Sequence, residues 1–226
     1  MYINNLKDLA LYFDHTLLKP ETLPSEIINL CYDAKLFHFA SVCVNSVHLE
    51  IVVNQLSDTQ VKPITVVGFP LGATMSEVKA FETEIAIKKG AKEIDMVMDL
   101  GSFKEKNYLR VKSDIEEVVK AAANIPVKVI IETGILSDSE KKDASKIAAD
   151  AGAKFVKTCT GFFSGKATIK DIHIIREAVG DSIGIKASGG IRTLNKALAM
   201  IKAGANRIGS SSSVNIINEM MGRISK

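Results

Sequence analysis

Two lysines stand where lysines are expensive. In "FVKTCTGF" (Phe155–Phe162) and "GIKASGG" (Gly184–Gly190), Lys157 and Lys186 each follow an apolar strand-like run. Desolvating an ammonium group there costs several kcal/mol unless it is paired or made neutral. An amine must be neutral to attack a carbonyl, yet a free lysine with a pKa of about 10.4 is neutral only ~0.04% of the time at pH 7. Bringing that pKa to about 7–8 needs roughly 3–5 kcal/mol of bias against the charged form. A second ammonium about 5 Å away supplies ~3 kcal/mol at an effective dielectric of about 20, and partial burial adds to it. A lysine pair in an apolar-walled mouth therefore suits Schiff-base chemistry. A carboxylate beside the second lysine would keep that one charged.

The elements that must position these groups alternate. Short β-branched runs occur at "LYFDHT", "FASVCVN", "ITVVGF", "EIDMVM", "VKVIIET", "KFVKT", "IGIKAS" and "NRIG", with helical patterns between them. The spacings Thr74-x-x-Glu77 and Ser137-x-x-Glu140 predict capping boxes that open helices at about 76–89 and 138–152. A further helix is predicted over about 104–123. "KKGAKEIDMV", "DAGAKFVKT" and "KAGANRIGS" repeat one pattern of helix end, Gly-Ala, short gap and strand. Gly90, Gly152 and Gly204 stand 62 and 52 residues apart, which fits pairs of βα units of roughly 26–31 residues. The expectation is an α/β chain folded as one (β/α)₈ TIM-barrel domain over residues 1–226. An open doubly wound sheet is the alternative, ranked second because no G-x-G-x-x-G follows the first strand.

Barrel chemistry sits at the C-terminal ends of the strands. Reading those ends gives Asp14, Cys43, Asp95, Glu132, Lys157, Lys186 and the run Gly209-Ser210-Ser211. The glycine- and serine-rich segments "ASGGIRT" and "IGSSSSVNII" each precede a predicted helix, in the positions where barrels bind phosphate. Glycine allows close approach there and serine can donate hydrogen bonds.

Other classes fit less well. With 46% hydrophobic and 24% charged residues and a net charge of +3, the chain has no basic blocks suited to nucleic acid. No run approaches the ~20 apolar residues of a membrane span, and no leader pattern opens the chain. Three scattered cysteines (Cys31, Cys43, Cys159) form no disulfide framework, and four dispersed histidines give no metal spacing. A reduced, cytoplasmic protein without metal or cofactor is expected. Cys43 and Cys159 read as packing residues rather than reactive thiols.

Taken together, "FDHTLLKP", "SVCVN", "EIDMVM", "FVKTCTGF" and "GIKASGGIRT" resemble the deoxyribose-phosphate aldolase family, class I aldolases on a TIM barrel, in order and over nearly the whole chain. The resemblance implies reversible cleavage of 2-deoxy-D-ribose 5-phosphate to D-glyceraldehyde 3-phosphate and acetaldehyde, without metal. It implies that Lys157 forms the Schiff base and Lys186 is the neighbouring ammonium. Asp95 would be the acid/base partner and Asp14 the carboxylate that orients Lys186. Gly189, Gly190, Ser210 and Ser211 would bind phosphate, with Thr160 and Gly161 flanking them. Partners would be small phosphorylated sugars and aldehydes; a homodimer is compatible with the family, though no residue pattern carries it. Three positions depart from the family pattern: Cys159 replaces serine, Asp99 replaces asparagine and Lys166 replaces glycine. Asp99 is expected to bring extra negative charge near the mouth, and Cys159 and Lys166 to alter substrate tolerance or sensitivity to oxidation and aldehydes. Two competing readings are a phosphosugar isomerase or epimerase using Glu132 as base, and a non-catalytic barrel that only binds a phosphorylated ligand.

Overall fold

A computed structural model describes residues 5–224. Eight strands run in parallel: β1 Phe13–Leu17, β2 Ser41–Val44, β3 Lys62–Val67, β4 Glu93–Val97, β5 Val127–Ile130, β6 Phe155–Lys157, β7 Gly184–Ser188 and β8 Arg207–Ser210. Each pairs with its sequence neighbour, and β8 pairs back to β1, so the sheet closes. Closure removes every sheet edge and favours the barrel over the open sheet. The strands are almost wholly buried, as expected where helices cover one face and interdigitating side chains fill the other. No helix among the described residues is long and apolar enough to cross a membrane.

The repeated Gly-Ala signal has a specific geometry. Gly90, Gly152 and Gly204 take φ of +102°, +90° and +113°. The alanines that follow donate to Ala86, Ala148 and Met200, and the glycines themselves to Ile87, Ala149 and Ile201. All three are Schellman caps, in which a left-handed residue turns the chain off the helix and satisfies its last carbonyls. The chain is thereby returned to β4, β6 and β8.

Helix starts follow the sequence less uniformly. Ser137 caps Asp138–Asp150 as a capping box, with Glu140 Oε2 accepting from Ser137 N at 2.7 Å. The box expected at Thr74 does not form. That helix, Ser76–Lys88, begins where expected, but its N-cap is Met75, with no side-chain cap. Its first turns are held instead by buried charge. Lys79 Nζ lies 2.8 Å from Asp114 Oδ2 and 3.0 Å from Val97 O, and Ser76 Oγ donates to Asp114 Oδ1 at 2.9 Å. These tertiary bonds fasten the helix to the end of β4 and to helix Tyr108–Ala122, and they outweigh the local cap. The single helix expected over 104–123 is two, Leu100–Lys104 and Tyr108–Ala122. Asn107, whose side chain caps the second, marks the break.

Ser137→Ala should lower stability by about 1 kcal/mol, a fall in Tm of about 2–4 °C for a chain of this size. Thr74→Ala should leave Tm unchanged. Thermal unfolding of both variants checks the pair, and equal losses would contradict the capping assignment.

Candidate active site

The barrel interior holds a chain of ion pairs centred on Asp95. Asp95 Oδ2 accepts from Lys157 Nζ at 2.8 Å and from Lys186 Nζ at 2.6 Å, while Oδ1 accepts from Lys128 Nζ at 2.9 Å. Lys186 also lies 2.5 Å from Asp14 Oδ2. Asp14 Oδ1 accepts from Arg207 Nε at 2.8 Å and Ser41 Oγ at 2.6 Å. Glu93 continues the chain, with Oε2 2.6 Å from Lys128 and Oε1 3.3 Å from Arg207 Nη1. Two legs of 2.8 and 2.6 Å to one oxygen limit the Lys157 and Lys186 nitrogens to at most about 5.4 Å apart. The lysine pair read from the sequence is therefore real, but a shared carboxylate oxygen stands between the two amines, and the expected bare repulsion is softened.

Backbone pairing explains the assembly. Asp95 is opposite Lys128, and Lys157, Lys186 and Arg207 pair in turn across β6, β7 and β8. Beyond the strands, Thr158 Oγ1 donates to Ser188 O at 2.7 Å and accepts from Ser188 N at 2.9 Å. This clamp fixes the segment after Lys157 against the one that carries Gly189 and Gly190.

Electrostatics follow from burial and crowding. Burial pushes the Asp95 pKa up, but Lys128, Lys157 and Lys186 outweigh it and hold the group well below the carboxylate range. For Asp14, Arg207 and then Lys186 overcome burial in the same direction. Burial alone would lower Lys186; Asp14 and Asp95 overcome it and raise the group above the ordinary lysine range. Lys186 is thus locked as a cation.

Above this chain, at the C-terminal ends of the strands, opens a cavity of about 450 Å³. Lys157 reaches it, and Thr160, Gly161, Gly189, Gly190, Ser210 and Ser211 all line it. Lys19 and Arg192 add positive charge at its edge, with no carboxylate in the lining. The sequence placed Asp14, Cys43, Asp95 and Lys186 at strand ends. Instead they sit within β1, β2, β4 and β7, fully buried and outside the lining. The Ser210 hydroxyl is committed to the fold, donating to Ile191 O at 2.7 Å, so its side chain shapes the loop instead of offering a free donor.

A model of the DeoC/LacD family of aldolases matches residues 9–219. The chain belongs to that family. A deoxyribose-phosphate aldolase of Halalkalibacterium halodurans is 53% identical over 214 residues, covering 94% of this chain and 96% of that protein. One from Clostridium tetani is 51% identical over 213 residues, covering 94% and 99%. The tetrameric deoxyribose phosphate aldolase from Aeropyrum pernix superposes with a TM-score of 0.91 at 30% identity, covering 98% of this chain and 94% of that one.

Within this DeoC/LacD frame the remaining candidates fall into place. Glu132, the base of the isomerase reading, is buried outside the cavity lining, and its Oε2 accepts from Thr160 N at 2.9 Å and Thr160 Oγ1 at 2.7 Å. It anchors the cavity wall. Cys43 and Cys159 are buried thiols; burial raises both, Cys159 to about 11. Asp99 does not charge the mouth. Its carboxylate caps Leu100–Lys104, accepting from Ser102 N and Ser102 Oγ at 3.0 and 2.6 Å. Lys166 is exposed and lays its alkyl chain where a Cβ on Gly190 would go. His15 is buried against Phe39, and burial pushes its pKa down to about 4. No cluster of three or more His, Cys, Asp or Glu suited to a metal occurs among the described residues.

Three members of the ion chain escaped the sequence reading: Lys128, Glu93 and Arg207. Removing Lys128 leaves oxygens of Asp95 and Glu93 without their cation in a fully buried place. Lys128→Met, similar in length, should therefore cost about 3–5 kcal/mol. Urea unfolding at pH 7 measures it, and a loss under 1 kcal/mol would show that the interior does not need this cation.

Proposed function

We propose that Lys157 is the Schiff-base lysine in the reversible cleavage of 2-deoxy-D-ribose 5-phosphate to D-glyceraldehyde 3-phosphate and acetaldehyde. The activity rests on the family and on relatives half identical over nearly the whole chain. The assignment of Lys157 rests on one observation. Of the four cationic side chains in the interior ion chain (Lys128, Lys157, Lys186 and Arg207), Lys157 alone reaches the cavity at the C-terminal face. Those four cations face three carboxylates, Asp14, Glu93 and Asp95. Lys62 joins Glu93 from the half-exposed rim, so cations outnumber carboxylates, and the cation open to substrate is Lys157.

The steps follow from that balance. Neutral Lys157 attacks the substrate aldehyde, and the carbinolamine takes up a proton and loses water to give a protonated imine. Deprotonating the C3 hydroxyl lets the C2–C3 bond break, its electron pair moving through C2 to the imine nitrogen. Glyceraldehyde 3-phosphate leaves and an enamine of acetaldehyde remains. Protonation at carbon and hydrolysis then free acetaldehyde and the lysine. Asp95, 2.8 Å from Lys157, serves as the acid/base partner. When Lys157 becomes a neutral enamine, one of the three cations on Asp95 is gone, and its proton affinity rises at the step that needs a proton held. Lys186 stays charged under Asp14 and supplies a fixed positive field. Gly189, Gly190, Ser210 and Ser211 hold the phosphate end, with Thr160 and Gly161 beside them. Positive φ at Gly161, Gly189 and Gly190 supports close backbone approach to an anion.

One barrel domain carries this activity. A homodimer is part of the same reading, supported by Val78, Phe81 and Ile85, exposed at helical spacing on Ser76–Lys88. A cytoplasmic setting is supported by three free, buried cysteines.

Borohydride with acetaldehyde should add an ethyl group to Lys157 alone, and chelators should leave turnover intact. A peptide mass map with Lys157 unmodified, together with chelator-sensitive turnover, would return the isomerase reading. Lys186→Leu should cut kcat by at least about 10²-fold while a phosphate ligand still binds; near-normal turnover would overturn its role. Turnover in both experiments is measured on purified enzyme with the phosphorylated sugar as substrate.

A further inference from the structure

The opposite, N-terminal face of the barrel holds a second cavity, larger than the first at about 680 Å³. Four cationic side chains line it, Lys7, Lys35, Lys62 and Arg207, against one carboxylate, Asp58. Among the described residues no ion pair engages Lys7 or Lys35. Lys62 and Arg207 share one oxygen, Glu93 Oε1, at 2.8 and 3.3 Å. Arg207 is only 9% exposed, so its guanidinium meets the cavity from a largely desolvated position, where a charge-assisted hydrogen bond is strong. Leu11, Phe39 and Val61 supply an apolar wall. Leu11 is 48% exposed, an apolar surface with no cover among the described residues.

The lining resembles that of the cavity at the other end, where Lys19, Lys157 and Arg192 meet no carboxylate. Nothing in the aldolase reaction uses the N-terminal face. Arg207 nonetheless joins the two ends, because the same guanidinium that meets this cavity also grips Asp14, and Asp14 lies 2.5 Å from Lys186.

We propose that this cavity is a second anion site. It takes a small organic anion with a phosphate or carboxylate head and a flat apolar body, the head meeting Arg207 and Lys35 and the body lying on Leu11 and Phe39. Occupancy is felt in the active site. An anion that draws Arg207 away leaves Asp14 less neutralised, which tightens its hold on Lys186 and so disturbs the Asp95 oxygen that Lys186 shares with Lys157. Turnover falls while substrate binding at the far face is unchanged.

The test uses the full-length enzyme titrated with 1-naphthyl phosphate and, in a second arm, 1-naphthoate. Naphthyl fluorescence reports binding without interference, since the chain has no tryptophan. The tighter arm identifies the head group. The double variant Lys7→Glu/Lys35→Glu removes two cations that pair with nothing, so it keeps its fold and its unliganded kcat and KM. It should bind the probe at least tenfold more weakly than the wild type, whereas Lys19→Glu, at the other face, should leave the Kd unchanged. A Kd indifferent to the double variant, or one weakened by Lys19→Glu, overturns the site. In wild type, saturating probe should lower kcat at least twofold with KM unchanged, and the double variant should lose this effect. An unchanged kcat at saturation overturns the linkage, and a raised KM with kcat unchanged assigns the probe to the substrate cavity, which also overturns it.

Discussion

Asp95 is asked to serve three ammonium groups with two oxygens, and much of the active-site architecture follows from that demand. A lone buried carboxylate would be protonated, and a lone buried lysine would be neutral. Held together at 2.6–2.9 Å, the carboxylate and the three amines satisfy one another. Such a cluster is stable only if every member is partnered, because one orphaned charge in a dry interior costs several kcal/mol. The chain accordingly extends outward until it reaches solvent. It runs from Asp95 through Lys128 to Glu93, and from Lys186 through Asp14 to Arg207, and Lys62 closes it at a half-exposed rim.

That extension explains why the barrel is a good host. In a closed parallel sheet alternate residues of every strand face the same interior, so charges from β1, β4, β5, β6, β7 and β8 meet without any loop holding them. Rigid strands place the charged groups, while segments after β6, β7 and β8 shape the cavity proposed to receive substrate. The network is anchored below and open above, at Lys157.

The same geometry decides what could be read from sequence. Lys157 and Lys186 were legible because each breaks an apolar run next to glycines, and the Schellman glycines were legible because the pattern repeats. Ser137 was legible since its box is local. Thr74 misled as a cap, because the first turns of that helix are held by the Lys79–Asp114 pair, 35 residues apart in sequence. Lys128 lies within "VKVIIE" with no glycine beside it to set it apart. A signal did exist, since Val127 and Val129 flank it in a strand buried on both faces, so the residue between them must enter the interior. Glu93 stands two before Asp95 and shares its face by the period of the strand. Arg207 opens β8, and only closure of β8 onto β1 brings it to Asp14. A contact across 193 residues leaves no local trace.

Placement relative to the cavity also separates chemistry from support among the charged residues. Lys186 and Asp14 are more deeply buried than a residue that must meet substrate, and each is pinned by two charged partners. In the proposed reaction both therefore act through fields and hydrogen bonds. Lys157 has one carboxylate partner and an open side. On the proposed reading, a side chain that is half held can leave its partner, react and return, and its departure changes the surroundings of Asp95 at the same instant. The proposed coupling of proton affinity to covalent state follows from Lys157 and Lys186 sharing one Asp95 oxygen, and no moving part of the fold is needed to produce it.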